Sequence, residues 1–250
     1  MDSATASLPL ILKQLRLTTI ANEYARLADK AIEQTWSHQR YLAELCHVEL
    51  AKREDSRLQR LLKDAKLPPG KPLSRYDFSE IDGISEQRVE QLIQQHQWLK
   101  QGSNILVFGA SGLGKTHLAS SIGYGLVETG VKVKFLTATA VVQQLQQAKG
   151  KLALQEELRR LDRYAVLIID DIGYVRKTEQ ETSVLFELIA HRYERHSLII
   201  TSNQDFKDWD QIFDDTSMTV AAIDRLVHNA HIIHCKGESY RRKSLQTETA

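Results

Sequence analysis

The sequence predicts an α/β protein: a three-layer sandwich with a parallel sheet between helices, preceded by a small all-helical N-terminal domain. Three observations carry that expectation. From Leu8 to Lys66 the chain holds no glycine and a single proline, Pro9. Beyond residue 85, helical stretches alternate with short, nearly continuous apolar runs, the pattern of parallel strands buried on both faces. One of these runs, Ile105-Leu106-Val107-Phe108, leads directly into the glycine-rich GASGLGKTH, Gly109 to His117.

In chain order, the first part predicts a helix around Leu10 to Leu17, a second from about Thr19 to Gln34, and a longer one opened by Ser37 as its N-cap. In that third helix Arg53, Arg57 and Arg60 fall on one narrow face, with Leu58, Leu61, Leu62 and Ala65 opposite. Such a ridge is either a solvated face or a contact for DNA phosphates or an acidic partner. LPPGKPLSRYDFSEIDGIS, from Leu67 to Ser85, holds three of the chain's four prolines and reads as a linker. The expected organisation is a helical domain at 1–66, a linker at 67–85 and an α/β domain at 86–250. Strands are expected at Asn104–Phe108, Val133–Thr137, Val166–Asp170 and Leu198–Thr201, with a weaker one at Ile232–His234.

The glycine-rich turn fits G-x-x-x-x-G-K-[ST], the phosphate-binding loop. Gly109, Gly112 and Gly114 allow positive φ, so that successive amides of Gly109, Ala110, Ser111, Gly112, Leu113, Gly114, Lys115, Thr116 and His117 turn inward around phosphate oxygens. The helix expected after the loop offers its positive N-terminal end to the same anion. Lys115 is placed to reach the β- and γ-phosphates of ATP, and Thr116 to ligate Mg²⁺. Downstream, Val166-Leu167-Ile168-Ile169 ends in Asp170-Asp171, the layout of a Walker B segment: Asp170 for the magnesium, Asp171 for the attacking water. Asn203, past the strand Leu198-Ile199-Ile200-Thr201, reads either as a neutral donor to the γ-phosphate or as an ordinary loop residue.

Composition removes several classes. At 250 residues with a formal net charge of +1, bulk charge predicts no partner, and any DNA contact must come from local patches. Two cysteines, Cys46 and Cys235, provide no disulfide framework. No run approaches a membrane span and the N-terminus lacks a signal pattern, so a cytoplasmic protein is expected. His228, His231 and His234 with Cys235 suggest packing rather than a metal site, since His231 and His234 point to opposite faces of a strand. Tyr76 and Phe78 are read either as a stack for the adenine or as a plug at the domain junction, the plug being preferred.

Taken together, RYDFSEIDGIS, GASGLGKTHLA, VLIIDDIGY, TSN and AAIDRLVHNAHIIHCKGESYRRK resemble the IstB-like helper ATPases of two-gene bacterial insertion sequences. These are AAA+ relatives of the helicase loader DnaC and the initiator DnaA. The resemblance runs from about Arg75 to Lys243, and D-R-L-x-H followed by G-E-S-Y-R is its most specific part. It implies an AAA+ ATPase domain, DNA-stimulated ATP hydrolysis, homo-oligomeric assembly on duplex DNA, and a partner transposase served in target selection; as departures from the family's pattern, a truncated lid and slow hydrolysis are expected. It further implies that Arg225 resembles the arginine finger, that Arg241 resembles the sensor II arginine, and that Lys149 and Lys151 lie where related initiators meet nucleic acid. The Asp170-Asp171 pair departs from the Asp-Glu of most AAA+ proteins. A DnaC-like helicase loader is the rival within the fold, and a small-molecule kinase the rival outside it, although no lid insertion for a kinase is visible.

Overall fold

The computed structural model describes residues 3–78, 84–173, 178–211 and 216–237. The chain divides into two compact units, Met1–Arg60 and Leu61–Ala250.

The first unit is helical, built from α1 (Ser3–Gln14), α2 (Thr18–Glu33) and the greater part of α3 (His38–Ala65). Its core joins Leu12, Ile20, Leu27 and Leu45, with Tyr24, Trp36 and Tyr41 around them. The first helix begins and ends earlier than its apolar residues suggest. Arg16 takes φ 58°, and the Leu17 amide reaches back to the Leu12 carbonyl at 2.8 Å, a left-handed C-terminal cap that stops the helix short of Leu17. Ser37 does open α3, accepting from the Arg40 amide at 3.2 Å. The start of α2 has no cap of its own at Leu17; Glu49 on α3 takes that role, its Oε2 accepting from the Thr19 and Ile20 amides at 2.9 and 3.1 Å. Burial raises the Glu49 carboxyl, but the bonds from Arg53 and from the Ile20 and Thr19 amides outweigh it and hold the group below its usual range.

The second unit is a sandwich around five parallel strands, β1 (Asn104–Phe108), β2 (Val133–Thr137), β3 (Val166–Asp170), β4 (Ser197–Ser202) and β5 (Ala230–His234), in the order β2-β3-β4-β1-β5. The first three match the expected runs. β4 extends one residue further at each end, because Ser197 and Ser202 are buried polar residues that interrupt the apolar pattern while keeping their ladder places. β5 begins two residues early; it lies at the sheet edge and is only partly buried, so its sequence carries a weaker signal.

One helical layer holds α7 (Ala138–Gly150), α8 (Leu154–Leu161), α9 (Glu179–Arg192) and α10 (Thr216–Val227), packed on Leu106, Phe108, Leu167, Ile169, Leu198 and Ile200. On the other face lies α6 (Lys115–Glu128), with α4 (Glu86–Gln94) against it and the short α5 (Gln97–Lys100) leading into β1. α6 is tightly enclosed: a Cβ on Gly123 would stand 2.7 Å from Ile168 and 2.8 Å from Leu67, and one on Gly125 2.6 Å from Ile93. The proline-rich stretch after α3 lies along the same helix. Ser121 Oγ donates to the Lys71 carbonyl at 3.1 Å and Tyr124 Oη to that of Pro68 at 3.2 Å, with a 3-10 turn at Leu73–Arg75 beyond them.

At the sheet end remote from the loop, the Arg192 guanidinium is 1% exposed and donates to the carbonyls of Leu161, Tyr164, Ala165 and Ser197. Burial lowers it to about 10, against the pull of Asp162; the four carbonyls bond its two terminal nitrogens and offset the cost of burying the charge, while Nε has no partner among the described residues.

Candidate nucleotide site

The carboxyl ends of β1, β3 and β4 converge beside the N-terminus of α6, the place where a parallel sheet of this order accepts ligands. The loop between β1 and α6 takes the shape its glycines permit: φ is 153° at Gly109, 87° at Gly112 and 74° at Gly114. At Gly109 the side chain is excluded as well, since a Cβ would lie 2.6 Å from the Cys235 carbonyl. Ser111, Gly112, Gly114, Lys115, Thr116 and His117 face a cleft of about 530 Å³, whereas Leu113 is buried and anchors the loop from below. Lys115 is 5% exposed, and its Nζ donates to the Ala110 carbonyl at 3.0 Å, so its ammonium lies inside the curl of the loop.

Across the cleft stand the acids. Asp170 is 5% exposed; its Oδ2 accepts from Thr116 Oγ1 at 3.0 Å and its Oδ1 from Thr201 Oγ1 at 2.6 Å. Burial pushes its carboxyl up; the Thr201 bond opposes this, the neighbouring Asp171 charge adds to it, and Thr116 and Lys71 pull down. Asp171 follows at φ 59° and is exposed, its amide donating to Thr201 Oγ1 at 2.9 Å. Asn203 lines the same cleft, its Oδ1 only 2.9 Å from where a Cβ on Gly173 would stand.

The residues present fit a magnesium-bound triphosphate. A hydroxyl and a desolvated carboxylate in mutual contact are the hard oxygen donors Mg²⁺ takes alongside phosphate oxygens. His117 Nε2, at the cleft wall, is buried without a hydrogen-bond partner among the described residues, a polar atom that a ligand can satisfy. Burial keeps His117 below the usual histidine range, against its bond to the Pro72 carbonyl and together with the charge of Lys71.

Comparison with known proteins agrees with this geometry. A family profile described as IstB-like ATP binding protein matches residues 10–248. The chain belongs to that family. An insertion sequence ATP-binding protein of Sinorhizobium fredii is 45% identical over 239 residues, covering 96% of this chain and 80% of its own length. The insertion sequence IS21 ATP-binding protein of Pseudomonas aeruginosa is 33% identical, covering 94% and 89%. Among solved structures the DnaC helicase loader superposes with a TM-score of 0.57 at 17% identity, over 67% of this chain and 98% of its own, which identifies the shared AAA+ fold. This IstB-like chain is thus an ATP-binding protein of the AAA+ P-loop class, related to proteins of insertion sequences.

Of the remaining expected residues of the IstB-like chain, the arginines and lysines that the structure describes lie outside the cleft lining. Arg225, on α10, donates to the Ala221 carbonyl at 2.9 Å and rests over the Phe186 ring, 5.1 Å from its centre. Arg241 lies outside the described residues. Lys149 pairs with Ser183 at 3.0 Å and Glu187 at 3.2 Å, while Lys151 is exposed just past the end of α7. In the helical unit, Arg53 is engaged by Glu49 at 2.8 Å and the Arg16 carbonyl at 2.7 Å, Arg57 by Glu54 at 3.1 Å, and Arg60 by the Ser56 carbonyl at 3.1 Å.

His228 meets Tyr193, His231 meets Arg88, and His234 stacks on Phe108; among the described residues no three histidine, cysteine, aspartate or glutamate side chains come together as a metal-binding cluster. No helix among them is long and apolar enough to cross a membrane.

Three cleft residues, Lys71, Arg75 and Asp77, escaped sequence reading because they fall in the stretch taken as a linker, and Thr201, buried behind Asp170, passed as the end of a strand. Tyr76 is 8% exposed, packs edge-on to Phe78 at 4.7 Å and His117 at 5.2 Å, and lines the cleft.

Proposed function

We propose that this protein hydrolyses ATP slowly in the cleft between the loop and the acids, assembles on duplex DNA, and thereby assists the transposase of its insertion sequence in choosing and engaging a target. One observation carries the catalytic half: the Thr116–Asp170 contact brings the loop and the acidic strand end into one cleft with Asp171 and Asn203. Thr116 and Asp170 would hold Mg²⁺, which would supply charge neutralisation for the triphosphate. Lys115 leaves the Ala110 carbonyl to pair with the same phosphates. Asp171, exposed at the turn after β3, takes the proton of the attacking water. Asn203 holds that water or a γ-oxygen without adding negative charge.

Arg225 serves a neighbouring subunit: it stands on α10 over Phe186 and not in its own cleft, so its guanidinium reaches a nucleotide only across an interface between copies. For DNA, Arg57 and Arg60 are suited to exchange contacts within their own helix for phosphates, whereas Arg53 is also tied to the Arg16 carbonyl. Lys149 and Lys151 provide a second cationic edge. The insertion-sequence relatives support the transposase partner.

The test is sedimentation of the full chain with Mg²⁺-ATP, with and without long duplex DNA, alongside phosphate release. ATP-dependent assembly on DNA and DNA-stimulated turnover are expected, with Asp171→Asn forming complexes that persist. Neither assembly nor turnover responding to duplex DNA refutes the reading.

A further inference from the structure

Thr201 is 0% exposed and makes three contacts at the tip of β4. Its Oγ1 donates to Asp170 Oδ1 at 2.6 Å and accepts the Asp171 amide at 2.9 Å, and its carbonyl accepts the Ile172 amide at 3.0 Å. A hydroxyl has one proton to give, so the donor is committed to Asp170 while a lone pair is committed to the next residue of the same strand end. The two oxygens of Asp170 are thereby divided, Oδ1 to Thr201 and Oδ2 to Thr116, which fixes the rotation of the carboxylate about its own bond.

The second bond acts on the backbone. Asp171 takes φ 59°, a left-handed conformation uncommon outside glycine, and it persists only where its surroundings hold it. The Thr201 hydroxyl and carbonyl together receive the amides on both sides of that turn, those of Asp171 and Ile172. Neither neighbour can substitute: Ile200 has no hydroxyl, and Ser202 Oγ is turned to the Gln204 carbonyl at 2.7 Å.

We infer that Thr201 is a positioning residue for nucleotide hydrolysis: through one hydroxyl it orients the metal-binding Asp170 and fixes the turn that presents Asp171. This deepens the catalytic reading above and rests on it for the roles of the two acids. Thr201 touches neither nucleotide nor metal; it acts on both through the end of β3. Thr201 stands on β4 two residues before Asn203, which follows the strand, so the end of β4 braces the acids and leads directly into the amide of the cleft.

The experiment compares Thr201→Val, which keeps the β-branched shape and loses the hydroxyl, with Thr201→Ser, which keeps the hydroxyl. Binding of a fluorescent ATP analogue to the full chain is titrated with Mg²⁺, and turnover is measured separately. Thr201→Val should bind the analogue without Mg²⁺ as well as the natural chain does, because Lys115 and the loop amides are intact. It should need on the order of tenfold more Mg²⁺ to reach full affinity and lose about tenfold to a hundredfold in kcat with little change in KM. Thr201→Ser should recover both to within about threefold, as expected when the hydroxyl rather than the packing matters.

Wild-type Mg²⁺ dependence in Thr201→Val, or equal defects in the valine and serine variants, would overturn the inference. Thr201→Ala removes the same hydroxyl and serves if the valine variant does not fold. A natural chain that binds Mg²⁺-ATP but never turns it over, with or without DNA, refutes the hydrolytic reading, while the Mg²⁺ titration still decides whether Thr201 orients Asp170.

Discussion

Gly173→Ala tests whether Asn203 takes part in turnover without altering any residue that contacts nucleotide. The added Cβ would stand 2.9 Å from Asn203 Oδ1, 3.1 Å from Ser202 Oγ and 3.2 Å from Gln204 Oε1. Ordinary contact begins at 3.4 Å, so the Asn203 amide must retreat by about 0.5 Å. The cheapest response is rotation of that amide, because it is the free end of an exposed side chain. Misplacement by 1 Å costs about a hundredfold in a positioned reaction, so a shift half as large predicts a loss of about tenfold in kcat.

ATP affinity should stay within about twofold, since Lys115, Thr116 and Asp170 are untouched. The assay is single-turnover phosphate release together with equilibrium binding of the nucleotide. Adding Asn203→Ala makes the reasoning falsifiable: if Gly173 acts only through Asn203, the double variant should be no slower than Asn203→Ala alone. Multiplying defects, or unchanged turnover in Gly173→Ala, would refute it.

Lys115→Ala removes the ammonium now held at the Ala110 carbonyl and should weaken ATP binding by on the order of tenfold to a hundredfold; unchanged affinity in equilibrium titration would overturn the loop assignment. Arg225→Ala should bind ATP normally as an isolated chain yet lose most turnover in the assembly, and mixing it with Lys115→Ala should restore part of it, because the second protein lends an intact arginine to the intact loop of the first. Mixed complexes that co-assemble but stay inactive would show that Arg225 does not act between subunits. Glu49, whose carboxyl is held below its usual range, stabilises α2 fully above the ordinary carboxylate pKa of about 4.3 and loses that effect as pH falls through its lowered folded value. Hydrogen-exchange protection of α2 should therefore drop on acidification in the natural chain. At neutral pH Glu49→Ala should cost about 1–2 kcal/mol of α2 protection, and an equal acid response in that variant would remove Glu49 as the cause.

What could be read in advance follows how local each determinant is. The positive φ values at Gly109, Gly112 and Gly114 were legible because the loop's conformation is written in nine consecutive residues, and the three central strands because burial on both faces leaves an unbroken apolar run. Asp170 was legible because it ends such a run. Thr201 was not: it matters only because β4 lies beside β3 in the sheet, an adjacency that spans some 30 residues of chain. Lys71 and Arg75 were hidden for the same reason, since nothing local tells a lysine among prolines that it will stand at a phosphate cleft. The cap on α2 comes from Glu49, 29 residues beyond Ile20, so the missing cap at Leu17 gave no hint of its replacement.

The bonds from Ser121 and Tyr124 to the Lys71 and Pro68 carbonyls bear on how this protein can be cut into working pieces. A nucleotide-binding fragment begun at residue 86, where the composition changes, would discard Lys71, Arg75, Tyr76 and Asp77 from the cleft wall and strip Leu67 from the flank of Gly123. The truncated piece would keep every motif residue of the loop and yet expose the apolar side of α6 to water, inviting aggregation and weakened nucleotide retention. A fragment begun at residue 61, where the second compact unit starts, retains the wall and the covering strip together.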